Sequence, residues 1–176
     1  MRKLRRIVTG HNEQGKSVAM FDGPPSNVTL GGRLAEIWYT DETPASNRGT
    51  ADASLRALQM EPPARGSVFR CLELEPESKI ADLDAAARAA LMRETLARLS
   101  AEHVAVDTTR HPGMHKTRSI DYVVVLAGKA RMLLDEGEVD LEPFDVVVQR
   151  GTNHAWVNRG TEPALLLAVM IDAEHL

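Results

Sequence analysis

One cysteine, Cys71, stands in a chain of 176 residues, so no intrachain disulfide can form, and a reducing compartment is the natural setting. Inside SVFRCLELE that thiol is expected to be a small buried hydrophobe rather than a nucleophile. Long hydrophobic runs are also lacking. The longest, Ala164 to Ile171, has eight residues, against the roughly 18 that a membrane-spanning helix needs. The opening MRKLRRIVTGHNEQG carries no apolar segment of the secretory kind. Positive charge is not in excess: 25 acidic residues against 21 basic ones leave a formal net charge of -4, which speaks against a general nucleic-acid binder. The basic cluster in MRKLRR runs into an apolar stretch and is expected to be the solvated face of a first strand rather than a phosphate-binding arm. These absences leave the expectation of a cytoplasmic protein with neither membrane nor nucleic acid among its partners.

What is present points to β-structure. At this length a single domain with a substantial core is expected, and most periodic segments are short, β-branched and bounded by turn residues. LRRIVTGH and KSVAMF, joined by NEQG, predict an opening hairpin over residues 4–21 in which Gly15 takes a positive φ. DGPPSN reads as a loop, because its two prolines remove consecutive backbone donors. Further strands are predicted at Leu34–Thr40 and Ser67–Glu75. From Ile120 onward, DYVVVLAG, KARMLLDEGEVDLE, DVVVQRG, HAWVN and ALLLAVMID follow one another with turns and no crossover helices. Such strands must pair antiparallel, and Gly137 sits where a hairpin loop calls for left-handed backbone. Closing them into a barrel or sandwich limits exposed edges. Residues 80–99, rich in Ala, Leu and Arg, predict one helix, inserted and lying against the outside of a sheet. Ile80, Leu83, Ala87 and Leu91 form its apolar stripe, and Ser78 or Asp82 its cap.

Two spacings carry a family resemblance. Asp121 is followed by six residues and Gly128; beyond a hairpin, Gly151, two residues, His154, three residues and Asn158 follow, with Gly137 and Pro143 between the two patterns. The combination resembles the two motifs of the cupin superfamily. It implies a mostly β fold, a double-stranded β-helix or cupin jelly-roll barrel, at residues 65–176, with residues 1–64 as N-terminal strands and loops that pack on or extend it, in one domain overall. A cupin barrel commonly holds one divalent metal at its mouth through three histidines and a carboxylate, and iron, manganese, zinc, nickel or copper suits such donors; no organic cofactor is implied. The chain departs from the pattern in places. The paired histidines would fall at Met114 and Lys116, whereas the histidines present are His111 and His115, and Phe144 and Gln149 stand where glycine and proline are usual.

Alternation along an extended chain places His111, His115 and Asp121 on one face, and His154, Trp156 and Asn158 on one face of a later strand. His115, Asp121 and His154, with His111 as a fourth member, are the candidate metal ligands. Asp121 and His154 are also the candidate catalytic groups. The alternative is a barrel without metal, in which His154 is a hydrogen-bonded pocket residue, His115 a rim histidine and Asp121 a partner of Arg118, Lys116 or loop amides. Tyr122 is expected on the face opposite Asp121. Trp156 either walls a pocket or packs the core, and Arg70 and Arg131, if inward, would suit a carboxylate-bearing substrate. His11, His103 and His175 lie outside any motif and are expected at the surface or in ordinary hydrogen bonds.

The resemblance implies a metal-dependent enzyme on a small aromatic, keto or carboxylic substrate, a dioxygenase, decarboxylase or isomerase, with the metal as Lewis acid. A non-catalytic cupin that binds a small molecule without metal is the alternative, and a metal-free isomerase or epimerase a third reading. The hairpin at residues 4–21 is a candidate to add strands to a second copy in a homodimer.

Overall fold

The computed structural model describes residues 4–174; His175 and the first three residues of the MRKLRR cluster lie outside them. Strands β1 (Arg6–His11) and β2 (Ser17–Gly23) form the expected hairpin. Its turn is closed by the Asn12 side chain, which accepts from the Gln14 and Lys16 amides, and by Gly15 at φ 73°. There follow β3 (Asn27–Thr29), β4 (Leu34–Thr40), β5 (Ser67–Leu74), β6 (Ser119–Ala127), β7 (Ala130–Leu134), β8 (Glu138–Leu141), β9 (Val146–Gln149), β10 (His154–Val157) and β11 (Ala164–Asp172). They form a six-stranded sheet in the order β3-β4-β5-β11-β6-β9 and a three-stranded sheet in the order β10-β7-β8. Every pairing is antiparallel. The short β3 is additional to the strands read from sequence: the loop ends at Ser26, and Asn27 pairs with Glu36.

The concave face of the larger sheet holds the core. Leu34, Leu72, Leu166 and Val125 form one row across it by register, and Val125 and Leu166 pack against Ala130, Met132 and Leu141 of the smaller sheet. Two inner faces thus share one apolar layer, as in a jelly roll. Gly128, at φ 72°, turns β6 into β7, and a Cβ there would meet the Pro163 carbonyl oxygen at 2.6 Å, so only glycine fits.

Helix α1 (Ala85–Arg98) differs from expectation in cap, face and position. Asp84, not Ser78 or Asp82, is the cap, accepting from the Ala87 amide at 2.8 Å. Leu83 and Leu91 are 38% and 42% exposed, while Leu96 and Leu99 are buried. These two, with Val104, pack on Leu34 and Leu72, on the concave face rather than on the outside. The reason is geometric: six strands face only three, and the helix covers what the smaller sheet leaves open.

The convex face is covered near β4 and β5 by the N-terminal segment, where Leu4 packs on Ala35, Ile37 and Cys71. Cys71 is buried and free, and burial pushes its thiol up to about 11, which removes it as a nucleophile. Arg6 corrects the expectation of a solvated basic cluster. Its guanidinium is buried and donates to Asp52, to Ser54 Oγ at 2.8 Å and to the Ile37 carbonyl at 3.2 Å. Arg5 is exposed and pairs with Asp22 at 2.6 Å.

Candidate functional site

His154 opens β10, and His115 lies across from it just before β6. Reciprocal backbone hydrogen bonds, His115 N–H to the His154 carbonyl at 2.8 Å and His154 N–H to the His115 carbonyl at 3.0 Å, tie them together. The ring centroids are 4.3 Å apart as a result. Trp156 meets His154 edge-on at 5.6 Å and also packs against the core, so it serves as wall and as filling. Nδ1 of His115 lies 2.9 Å from the Gly113 carbonyl, and Nδ1 of His154 lies 2.9 Å from the Thr152 carbonyl and in closer contact with the Gln149 amide nitrogen. Burial pushes both imidazoles below their usual range, His154 to about 3 with the His115 ring as a second cause. Both rings are therefore neutral at physiological pH.

Asp121, on β6, is 6% exposed and pairs in register with Gln149 and Met170. Its Oδ1 has no hydrogen-bond partner among the described residues. Burial raises this carboxyl to about 6, against the opposing pull of the Ser119 hydroxyl and the Arg70 charge. Tyr122, its neighbour, points to the opposite face and is 48% exposed, as alternation requires. Gln149 links Asp121 to the histidine pair: it neighbours the first across the ladder and touches the ring of His154. The loop at Thr152 fixes it, with Nε2 donating to the Thr152 carbonyl at 2.8 Å and Oε1 accepting from the Thr152 hydroxyl at 3.0 Å.

His111 does not join this group. Its Nδ1 accepts from the Gly113 amide at 3.0 Å and its Nε2 lies 3.0 Å from Glu77 Oε1. Residues 111–114 form a turn closed by the Met114 amide on the His111 carbonyl at 3.0 Å, so the alternation that would align His111 with His115 and Asp121 does not operate. Among the described residues no three His, Cys, Asp or Glu side chains converge at metal-binding range. Two imidazoles meet, the carboxylate sits beyond Gln149, and a mononuclear centre needs about three protein donors. The donor set expected from the motifs does not fit a metal as it is arranged.

The two candidate arginines divide. Arg131 lies on the outward face of β7, bound to Asp140 and Glu138, so it does not line the barrel. Arg70 points inward and is buried, but its guanidinium is engaged: Nη2 lies 3.1 Å from Glu36 Oε1 and donates to the Gln59 carbonyl at 2.7 Å, and Nη1 donates to the Met60 carbonyl at 3.0 Å. Glu36 is fully buried, and burial pushes its carboxyl above the usual range although Arg70 and Tyr39 oppose the shift. The Glu36 ion pair lacks hydrogen-bond alignment, and both Glu36 oxygens, Tyr39 Oη and Arg70 Nε have no hydrogen-bond partner among the described residues. Glu36 and Tyr39 lie outside both motifs. The signal was a lone acid inside the apolar strand LAEIWYT, and a register shift between Glu36 and Trp38 then brings Tyr39 onto the concave face as well. Of the histidines outside the motifs, His103 pairs with Glu61 at 2.8 Å and His11 is exposed.

Residues 102–170 match the family model described as Cupin domain. Over 170 residues the chain is 60% identical to the Phomopsin biosynthesis cluster protein C' of Diaporthe leptostromiformis, covering 90% of this chain and 72% of that protein. Over 185 residues it is 30% identical to the cupin-domain-containing oxidoreductase fogC of Aspergillus ruber, covering 99% of this chain and 75% of that protein. Among solved structures, the cupin domain of Schizosaccharomyces pombe Cnp3 aligns with a TM-score of 0.41 and 13% identity, covering 98% of this chain and 85% of that one. This chain belongs to the cupin family. No helix among its described residues is long and apolar enough to cross a membrane.

Proposed function

We propose that this cupin is an enzyme of small-molecule biosynthesis that moves a proton on a small organic substrate, with Asp121 as the general acid–base group. The observation that carries the reading is the unpaired Oδ1 of a buried carboxyl held at about 6; a base poised near the working pH transfers protons most effectively. His115 and His154 are neutral and adjacent; because His115 gives its Nδ1–H to the Gly113 carbonyl, its Nε2 is left as an acceptor for a substrate hydroxyl. A cavity of about 370 Å³ lined by Asp107, Thr109, Arg110, Met114 and Asp135 adjoins them: Met114 precedes His115, and Asn153, which precedes His154, donates to Asp107 and Asp135. This is the isomerase version of the expected chemistries. The metal-dependent version needs His115, Asp121 and His154 to converge, and metal analysis of the purified chain is expected to find well under one equivalent of transition metal. The relatives named as oxidoreductases favour a second reading, an oxidation or reduction of the same class of small substrate.

The test is untargeted conversion. The chain is incubated with the small-molecule extract of a producing strain that lacks its gene, and products are followed by mass spectrometry. A component converted by the wild type and untouched by folded Asp121→Asn supports the reading; equal conversion by both proteins contradicts it. We propose further that the β1–β2 hairpin, a separate two-stranded sheet, joins a second copy, and a light-scattering mass equal to the 19.3 kDa chain would contradict that.

A further inference from the structure

A second polar site lies behind a surface cavity of about 230 Å³ lined by Asp41, Arg56, Ala57, Gln59 and Pro63. Two of these walls also cover the buried cluster on the concave face. The Gln59 carbonyl accepts from Arg70 Nη2 at 2.7 Å, and the Arg56 guanidinium lies 4.7 Å above the centre of the Tyr39 ring. Arg56 is held to Asp41 by a partly exposed ion pair at 2.6 Å, a contact that water weakens, so this wall moves at little cost. Behind it Glu36, Tyr39 and Arg70 are 0%, 2% and 6% exposed. Glu36 Oε1 lies 3.1 Å from Arg70 Nη2 and the three groups influence one another, yet both Glu36 oxygens, Tyr39 Oη and Arg70 Nε lack an aligned hydrogen bond among the described residues. Buried polar atoms are nearly always paired, and such a group beside a cavity marks where a ligand's polar atom belongs.

The inventory of free atoms selects the ligand. Glu36 offers Oε2, with Oε1 turned to the Arg70 ion pair, Arg70 Nε offers one donor, and the Tyr39 hydroxyl serves either way. The Arg70 charge is already opposed by Glu36 and by Asp121, so a further carboxylate would place three anionic groups around one guanidinium. We propose that this cavity and the cluster behind it bind the hydroxyl of a neutral small molecule, a phenol or an alcohol. The hydroxyl donates to Glu36 and accepts from Arg70 Nε or from Tyr39. The volume is below the ~300–1,000 Å³ of drug-sized sites, which limits the occupant to a small molecule or to one end of a larger one. Arg70 thus serves a different ligand from the carboxylate expected of it. The hydroxyl is held by Glu36, Tyr39 and Arg70 themselves, while Asp121 acts on this site only through the Arg70 charge.

Titration calorimetry on the full chain with phenol, cyclohexanol and sodium benzoate tests the proposal. Saturable binding of phenol or cyclohexanol is expected, with benzoate at least about tenfold weaker, because an unpaired buried acceptor rejects an anion that cannot donate to it. The tighter of the two neutral probes tells whether the hydroxyl is phenolic or aliphatic. Since Glu36→Gln alters a fully buried group, two milder variants carry the test. Tyr39→Phe removes one oxygen and is expected to weaken the bound probe about tenfold; Arg56→Trp fills the cavity from the surface and is expected to abolish binding. Benzoate binding as tightly as the neutral probes, no saturable binding of either neutral probe, or unchanged affinity in either variant overturns the proposal. Asp121→Asn that loses turnover yet binds the probe separates this site from the acid–base reading.

Discussion

Arg6 and Arg70 each bury a guanidinium against a carboxylate beside β4, one on the convex side of the larger sheet and one on the concave side. Arg6 is fully provided for: Asp52 receives both Nη groups, Ser54 and Ser26 contribute hydroxyls, and the Ile37 carbonyl closes the set. Asp52 is correspondingly held well below the usual carboxylate range, with the Arg6 hydrogen bonds as the main cause. Arg70 faces Glu36 without hydrogen-bond alignment, and Glu36 is pushed up by burial instead. Similar residue types thus form a clamp at one place and an incomplete polar cluster at the other. The first kind of pair fastens the N-terminal segment to the sheet; the second costs stability and is the kind of environment in which binding and proton transfer take place.

The largest expected effect breaks the clamp. Asp52→Ala strands a buried guanidinium and should lower unfolding free energy by about 3–5 kcal/mol in urea titrations. Next comes Asp121→Asn. The folded carboxyl keeps its proton up to pH about 6, whereas the unfolded one releases it near 3.8. Between those values the folded state holds more protons, so stability falls as pH rises from about 4 through 6. The asparagine lacks this fall and should exceed the wild type by up to about 3 kcal/mol above pH 6, with the difference closing toward pH 4. His154 works the other way, since its depressed folded value makes stability rise with pH from about 3 up to the ordinary imidazole value of 6.5. It contributes alike to both proteins and cancels in the comparison.

A double replacement sharpens the contrast further. Glu36→Leu with Arg70→Met should be neutral or stabilising by roughly 1–2 kcal/mol; a loss as large as that of Asp52→Ala would erase the distinction between the pairs. The smallest effects separate single hydroxyls. Ser54→Ala removes a hydroxyl bonded to both Arg6 and Asp52 and should cost about 1–2 kcal/mol. Tyr39→Phe removes one without a hydrogen-bond partner among the described residues, and should change stability by less than about 0.5 kcal/mol.

Much of the barrel was legible because its turns leave little choice. Gly128, Gly137 and Gly151 all adopt positive φ, and Asn158 caps the last turn by bonding the Leu74 and Glu162 carbonyls and the Gly160 amide. The cupin spacing of these residues is a backbone requirement, which is why it survives in a chain whose ligand positions differ. The placement of Asp121 inward and Tyr122 outward followed from alternation alone. Alternation failed wherever the chain left the extended state: the turn at His111 removed one histidine from the site, and the register shift after Glu36 put Tyr39 on the inner face. The helix stripe was read one face away from the true one because Ala-rich segments carry little periodic contrast. The pairing of Arg6 with Asp52 spans 46 residues, and no local pattern encodes such a contact.

The most direct measurement is the titration of the Asp121 carboxyl, followed through its side-chain carbon resonance in selectively labelled protein and assigned by its loss in Asp121→Asn. A midpoint near the value of about 6 is predicted, well above the ~3.9 of a solvated aspartate. A midpoint at or below ~4 would mean that this carboxyl is solvated or paired like any other, and would contradict the account of a buried acid–base group with an open oxygen inside the barrel.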